Sequence, residues 1–183
     1  MANRQNSQVI ATSPAEVPAV LRSKHPASVM VFGAVEGDGR VMPPHFVPAG
    51  LRIGTTEYLT ILEEVLMPWL EQNYSLEDVV LVQDSAPAHT ARQVQDLLRR
   101  RIPRFVPKEK WPPSSPDLNP CDYWLWSVVE ERANDHPHGS VASLKTAIRR
   151  AAATISPEEA RRACSRFRSR IGQVRAADGG HIE

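Results

Sequence analysis

The feature that most constrains the fold is a short aliphatic run that ends in an acid. Residues 79–83 read VVLVQ, and Asp84 follows them directly, before the small-residue turn SAPAH. A run of this length, rich in valine and bounded by turn residues, predicts a buried strand. Sites in open α/β sheets form beyond the carboxyl ends of strands, and Asp84 lies at such an end.

The segments before this run predict a hairpin and a helix. Residues 28–35 (SVMVFGAV) and 40–47 (RVMPPHFV) flank the turn EGDG, which is the pattern of a β-hairpin. The two adjacent prolines of the second segment argue for a sheet edge or a bulge. Leucines at helical spacing predict a helix from Thr55, which Pro68 kinks or restarts.

The segments after it continue the alternation. A helix is predicted from about Thr90 to Arg101, then a short strand over 102–107, and a proline-rich connection follows. The next helix begins near Pro120, with Asn119 as its cap. Two closing helices cover VASLKTAIRRAAATI and SPEEARRACSRFRSRI, the second opening with a capping box. This order predicts an α/β fold with mixed strand directions.

Composition limits the classes of protein. The chain of 183 residues, 42% hydrophobic and 23% charged, is typical of one soluble globular domain. It has neither an apolar run long enough to cross a bilayer nor the apolar core of a signal peptide, so an intracellular location is expected. The two cysteines, Cys121 and Cys164, have no CxxC pairing, which argues against a disulfide framework or a zinc site.

The net charge of +1 conceals an uneven distribution. Residues 36–91 carry two basic and nine acidic groups, whereas residues 92–110 carry seven basic and two acidic groups. Residues 141–183 carry nine basic and four acidic groups. This pattern suits basic surfaces that hold a polyanion beside an acidic pocket. Solvated helix faces explain the basic stretches equally simply, and from charge alone that explanation is favoured.

Two further acids could join Asp84. Asp122 falls at the third position of the helix near Pro120, where the helix start favours its ionised form, and Asp117 lies five positions earlier. Two carboxylates brought together repel unless a cation lies between them, and Mg²⁺ prefers such hard oxygen ligands. The alternative is purely structural, with Asp84 supporting a turn and the other two capping proline turns. The residues alone leave both interpretations open and favour the structural one.

Two motifs together resemble the catalytic domain of mariner-type DNA transposases, within the RNase H-like group of integrases and transposases. The first is LVQDSAPAHTA around Asp84, and the second is WPPSSPDLNPCDYWLW around Asp122. The separation, 122 − 84 = 38, is similar to that between the second and third catalytic acids of the group. The hairpin and the following helix also resemble the segment between the first and second acids.

The resemblance implies metal-dependent strand cleavage and transfer, in which three acids hold two divalent ions. Asp84 matches the second acid and Asp122 the third, as catalytic and metal-binding residues. Asp117 belongs to the SPDL turn, where a structural role is favoured over support of the site. His89 either touches substrate or supports the site, or it is only a histidine at a helix start; these alternatives stay open. The cofactor expected is Mg²⁺ or Mn²⁺, with one ion as the alternative to two.

The first acid is where the sequence departs from the pattern. The segment MANRQNSQVIATSPAE resembles the loop that follows the first strand, and Glu16, Glu36 and Asp38 do not match the first-acid position. We therefore expect an RNase H-like mixed sheet that lacks its central first strand, and no helix-turn-helix module. The expected division is an extended arm at 1–27, a partial catalytic core at 28–135, C-terminal helices at 136–175 and a frayed tail at 176–183.

Three functional hypotheses follow. The first is a transposase-derived DNA-binding domain without cleavage activity, and the second is an active transposase or nuclease whose first acid comes from a longer chain or a second subunit. The third is a non-catalytic protein-interaction module. Largely non-sequence-specific DNA binding, a nuclear location, a homodimer through the N-terminal arm and no membrane contact are expected. The residues expected to contact DNA are Arg92, Arg99, Arg100, Arg101, Arg104, Lys108 and Lys110.

Overall fold

A computed structural model of the chain describes residue 13 and residues 27–178. The predicted arm, with Glu16, lies outside the described residues apart from residues 13 and 27, and residues 179–183 of the predicted tail lie outside them as well. Within them the chain forms two short strands and seven α-helices. These are β1 (Val31–Phe32), β2 (His45–Phe46), α1 (Thr55–Ile61), α2 (Met67–Asn73), α3 (Pro87–Thr90), α4 (Arg92–Arg101), α5 (Trp126–Ala133), α6 (Val141–Ala153) and α7 (Pro157–Ala176). Two π-helical segments (Leu62–Leu66 and Cys121–Leu125) and two 3₁₀ turns (Lys108–Lys110 and Pro116–Leu118) lie between them.

The predicted hairpin is confirmed. Strand β1 pairs antiparallel with β2, with Val31 opposite Phe46, and an isolated bridge joins Val35 to Val41 beyond the strands. The turn between the segments is closed by a hydrogen bond from the Gly39 N–H to the Glu36 carbonyl, at 3.0 Å. The hairpin therefore ends in the acidic turn that the sequence predicted.

Helices cover both faces of the hairpin, because its side chains alternate. Phe32 and Ala34 pack with a core formed by α1, α2 and α4, in which Leu62 and Leu98 are fully buried. The valines of the other face pack with a second core formed by α5 and α6. The result is a layer of helices, the hairpin and a second layer of helices.

The helix predicted from Thr55 changes its winding before Pro68. Helix α1 passes into the π-helical segment Leu62–Leu66, and α2 restarts at Met67. Proline has no N–H to donate and its ring clashes with the preceding turn, so the regular ladder is interrupted there. The prediction that Pro68 restarts the helix is confirmed.

The strands predicted at 79–83 and 102–107 are wrong as ladder-forming elements. A single backbone hydrogen bond joins the two segments, from the Val106 N–H to the Leu81 carbonyl at 2.8 Å. Residues 30–35 and residues 80–84 both line a cavity of about 690 Å³. Because the strand-like run faces this cavity instead of a neighbouring strand, it has no ladder to complete. The predicted mixed sheet is therefore reduced, in the described residues, to the two-stranded hairpin.

The predicted helix starts are confirmed. The side chain of Asn119 accepts a hydrogen bond from the Cys121 N–H at 3.0 Å, and its carbonyl accepts from the Asp122 N–H at 2.9 Å. At α7 the Ser156 hydroxyl accepts from the Glu159 N–H, and the Glu159 carboxylate accepts from the Ser156 N–H, which is a capping box. The contacts of Asn119 therefore fix the start of the helix that carries Asp122.

Candidate active site

The cavity beside β1 brings together the two acids that the sequence singled out. Asp84 and Asp122 both line it, although 38 positions separate them. Asp84 enters from the end of the strand-like run, and Asp122 from the π-helical segment Cys121–Leu125. His89 and Trp126 also line the cavity.

Asp84 is fixed by two contacts from the turn that follows it. Its Oδ1 accepts a hydrogen bond from the Ala86 N–H at 3.0 Å and lies 2.5 Å from Nδ1 of His89. That nitrogen is buried, and its contact with Asp84 is close but does not have the geometry of a well-directed hydrogen bond. The contact with His89 holds the pKa of Asp84 below its ordinary value, against the opposing effect of burial. The turn therefore favours an ionised carboxylate at this position.

His89 is itself held by a network that sequence reasoning missed. Its ring stacks on Tyr58, with 4.2 Å between the ring centroids, and the Tyr58 hydroxyl donates to Gln83 at 3.0 Å. The carbonyl of His89 accepts from the side-chain amides of Gln83 and Gln95, at 3.2 and 3.0 Å. Gln95 is only 2% exposed, on the otherwise apolar buried face of α4. A buried amide among leucines and valines was the signal that could have indicated this network.

The environment of Asp122 shifts the pKa of this residue in the direction opposite to the shift of Asp84. Burial raises the pKa of Asp122, and the charge of Asp84 raises it further, while a hydrogen bond with Asn119 opposes both effects. The two carboxylates are thus close enough to interact electrostatically across the cavity. Such a pair stores repulsion that a bound cation would relieve.

The pair of carboxylates offers ligands that a hard cation prefers. Two carboxylates that repel each other, with water completing the coordination, form the kind of site that Mg²⁺ occupies in proteins. No cluster of three or more His, Cys, Asp or Glu side chains in residues 27–178 is arranged to hold a metal ion. Asp84 and Asp122 are the pair of described residues that could hold such an ion.

Other titratable groups line the cavity without joining the pair. Glu36, placed by sequence in the hairpin turn, lines it, and burial is the main cause that raises its pKa. Cys121 and Cys164 line it as well, and burial raises their thiol pKa values to about 12 and about 11. Both thiols stay protonated near neutral pH, so neither is equipped to act as a nucleophile.

Asp117 and the predicted DNA-contacting residues lie away from the cavity wall. Asp117 is in the 3₁₀ turn Pro116–Leu118, and its carbonyl accepts a hydrogen bond from Arg170 at 3.2 Å. The basic residues lie on α4 and on the segment after it, and some are already paired: Arg99 lies 3.4 Å from Asp96, and Arg101 lies 2.7 Å from Glu71. None of the seven is among the described residues that line the cavity. They are Arg92, Arg99, Arg100, Arg101, Arg104, Lys108 and Lys110.

Comparison with known proteins identifies the family. The family model of the DDE superfamily endonucleases matches residues 4–145. The chain belongs to this family, as the paired motifs indicated. It is 36% identical over 108 residues to the Tcb1 transposase of Caenorhabditis briggsae, an alignment that covers 57% of this chain and 36% of that protein. The chain spans less than half the length of the curated relatives it matches.

The fold is that of the Mos1 transposase catalytic domain. That domain, solved with raltegravir and manganese, superposes with a TM-score of 0.74 at 24% identity, covering 85% of this chain and 78% of that chain. A Mos1 paired-end complex with the left transposon end superposes with a TM-score of 0.78 at 21% identity, covering 96% of this chain and 52% of that chain. Among the described residues, no helix combines the length and apolarity needed to cross a membrane.

Proposed function

We propose that the chain is a transposase-derived DNA-binding domain that holds a divalent cation between Asp84 and Asp122 but does not cleave or join DNA. The observation that carries the proposal is the pair of acids lining one cavity, each with its own support. Glu36 also lines the cavity, but no group of three or more such side chains in the described residues is arranged to hold a metal ion. Two-metal strand transfer needs a clamp on both the attacking and the leaving oxygen. Two carboxylates are poorly equipped to provide it.

Support for the cation comes from the site and from the family. Asp84 is kept ionised by His89, and the repulsion between Asp84 and Asp122 favours a cation between them. The Mos1 catalytic domain has been solved with manganese and with magnesium. When bound, the ion would polarise a phosphate oxygen or a water. In this chain, the turn formed by residues 84–89 orients the Asp84 carboxylate, and Asn119 orients the Asp122 carboxylate.

The test of inactivity is a strand-transfer assay with pre-cleaved transposon ends and Mg²⁺ or Mn²⁺. We expect the wild-type chain to give no more joined product than an Asp84→Ala variant gives. Robust joining that Asp84→Ala abolishes would overturn the proposed loss of activity while retaining the site assignment. Joining that Asp84→Ala leaves intact would overturn both.

A second candidate function, an active transposase or nuclease, is favoured by the cavity itself. It is lined by residues 30–35 and residues 80–84, the two runs that would flank a central first strand in an RNase H-like sheet. In this alternative, a longer chain or a second subunit supplies that strand and the first acid. Strand transfer that appears only when a longer natural chain is used would favour it over the inactive domain.

DNA binding is proposed to depend on sequence-independent phosphate contacts. The seven basic residues from Arg92 to Lys110 give this segment a net charge of +5 (seven basic minus two acidic groups). Phosphate contacts release counterions, so affinity falls steeply with salt. We expect a Kd on the order of 10⁻⁴ to 10⁻⁶ M at physiological salt, with little preference among sequences.

Fluorescence anisotropy with several labelled duplexes tests this contribution. Replacing Arg99, Arg100 and Arg101 with Ala should weaken binding to all duplexes alike and flatten the salt dependence. The control is Arg52→Ala with Arg150→Ala, two exposed residues on other elements. Tight, sequence-selective binding that is indifferent to salt would contradict the proposal, and an absence of binding would favour the interaction-module hypothesis.

Location and assembly follow from the same proposal. The nuclear location is proposed from the family resemblance, and fractionation of cells that express a tagged chain would test it. The proposed homodimer through the N-terminal arm lies outside the described residues. Sedimentation of the full chain and of a chain beginning at residue 27 would test it, with a dimer expected only for the full chain.

A further inference from the structure

The C-terminal helix α7 carries a second basic surface in the described residues, in addition to the Arg92–Lys110 segment. Its 20 residues hold six arginines and two glutamates, a net charge of +4. Arg162, Arg166 and Arg170 recur every four positions, so they follow one another along one side of the helix. We refer to these three residues as the arginine row.

Contacts from the helix that carries Asp122 place this row beside the candidate active site. The hydroxyl of Tyr123, the residue after Asp122, donates to the Ala163 carbonyl at 2.8 Å. The guanidinium of Arg170 lies over the Tyr123 ring, 4.4 Å from its centroid. The charges of Arg170 and Arg166 both oppose the rise in the pKa of Tyr123, so Arg166 also lies near that ring.

The same helix forms part of the cavity wall. Cys164 and Phe167 of α7 line the cavity together with Asp84 and Asp122. At 3.6 residues per turn, Phe167 lies about 60° from Arg170 around the helix, whereas Cys164 lies on the side opposite Arg162. The Arg170 end of the row is therefore next to the cavity wall, and Arg166 and Arg162 continue from it along the exposed side of α7. A DNA backbone that approached Asp84 and Asp122 from this side would contact α7.

The two exposed members of the row, Arg162 and Arg166, are available to bind a ligand. Arg166 is exposed and forms no hydrogen bond or ion pair within the described part of the chain. Arg162 is exposed and lies 3.5 Å from Glu158, with both side chains more than two-thirds exposed. Exposed pairs of this kind contribute little, so Glu158 does not hold Arg162 away from a phosphate. In contrast, Arg99 and Arg101 on the α4 side are paired with acids of other elements.

We propose that the arginine row of α7 binds the phosphate backbone of DNA that lies along the cavity edge beside Asp84 and Asp122. This inference rests on the proposed DNA-binding function and assigns it a second surface, separate from the Arg92–Lys110 segment. Guanidinium groups suit this role because they stay charged and present a planar set of donors to phosphate. Successive members of the row lie about 6 Å apart on the helix, so successive phosphates of one DNA strand can each meet one arginine.

Anisotropy titrations of the full chain with a random-sequence duplex test the row. The variant is Arg162→Gln with Arg166→Gln, which leaves Arg170 and its contact with Tyr123 in place. The matched control is Arg52→Gln with Arg150→Gln, which removes the same charge from exposed positions elsewhere. We expect the row variant to bind on the order of tenfold more weakly at low salt and its log–log salt slope to flatten by about two. The control should stay near wild type.

The outcomes separate the two proposals. If wild-type protein binds DNA and the row variant binds as tightly as the control, with an unchanged slope, the row is not a phosphate-binding surface while the proposed function survives. If wild-type protein does not bind DNA at all, the proposed function fails first and the row fails with it. Thermal melting of each variant by circular dichroism excludes unfolding, and Arg162→Lys with Arg166→Lys should restore most of the lost salt dependence if charge carries the binding.

Discussion

Replacing each carboxylate of the candidate site by its neutral isostere should change stability in opposite directions. Without divalent cations, Asp122→Asn should stabilise the fold, because burial and the charge of Asp84 both disfavour ionised Asp122. Asp84→Asn should destabilise it, because the contact with His89 favours ionised Asp84. The two substitutions are the same in shape and in charge change, so each is the control for the other.

The size of each change in stability depends on how far the carboxylate is exposed to solvent. A shift of one pKa unit corresponds to about 1.4 kcal/mol of difference between the two protonation states. The Asp84 side chain is 43% exposed, so solvent screening reduces its contribution. We therefore expect a gain of about 0.5–1 kcal/mol for Asp122→Asn and a loss of about the same size for Asp84→Asn at pH 7. For a domain of this size, these values correspond to changes in Tm of about 1–4 °C.

The pH dependence is the sharper test. The pKa of Asp84 is lowered in the folded state, so its stabilisation is present above its ordinary value of 3.8 and is lost as pH falls through the folded pKa. The pKa of Asp122 is raised, so its destabilisation is present above the folded pKa and is gone below 3.8. The gain from Asp122→Asn should therefore disappear in acid while it is full at pH 7.

Urea unfolding in EDTA at pH 7 and at pH 3.5, followed by circular dichroism, measures both effects. Stabilities that change in the same direction for both variants at pH 7 would refute the reasoning. An Asp122→Asn gain that persists unchanged at pH 3.5 would show that its cause is not ionisation.

Two further predictions concern the framework that holds the site. Gly39 has φ +101°, and a Cβ there would lie 2.2 Å from the Pro157 carbonyl oxygen, so Gly39→Ala should cost about 2–4 kcal/mol. Gly50→Ala, at φ +81° with open space around it, is the control and should cost only about 1 kcal/mol; equal losses in thermal melts would contradict the clash. Leu62 is 0% exposed in the first core, the one that packs against Phe32 and Ala34, so Leu62→Ala should cost about 3–5 kcal/mol in urea unfolding. Leu51→Ala, where the leucine is 42% exposed, should cost far less, and a similar loss at both positions would mean that the first core is misassigned.

Much of the candidate site was predictable from local sequence because its parts are local. The turn after Asp84 and the helix start before Asp122 are each specified within a few residues, by Ala86, His89 and Asn119. The resemblance then indicated that the two motifs belong together. What the sequence could not supply was the distance between them, since no periodic pattern encodes it.

The errors and omissions are non-local. Whether residues 79–83 form a ladder depends on what lies beside them, and the cavity occupies that position. The stacking of Tyr58 on His89 joins residues 31 positions apart (89 − 58) through the fold. Likewise, the approach of α7 depends on Tyr123 and Ala163, whose contact no helical pattern reveals. Propensity and capping specify the elements, while packing decides their partners.

The central claim is that Asp84 and Asp122 together hold one divalent cation. Binding of Mn²⁺, measured by electron paramagnetic resonance of the free ion, tests it directly on the wild-type chain and on Asp84→Asn with Asp122→Asn. Because the two substitutions should have opposite effects on stability, the double variant should melt near wild type. Glu63→Gln with Glu64→Gln, at exposed helix positions, is the charge-matched control. We predict one bound ion per chain for wild type and control and none for the double variant; binding that the double variant retains would contradict the claim.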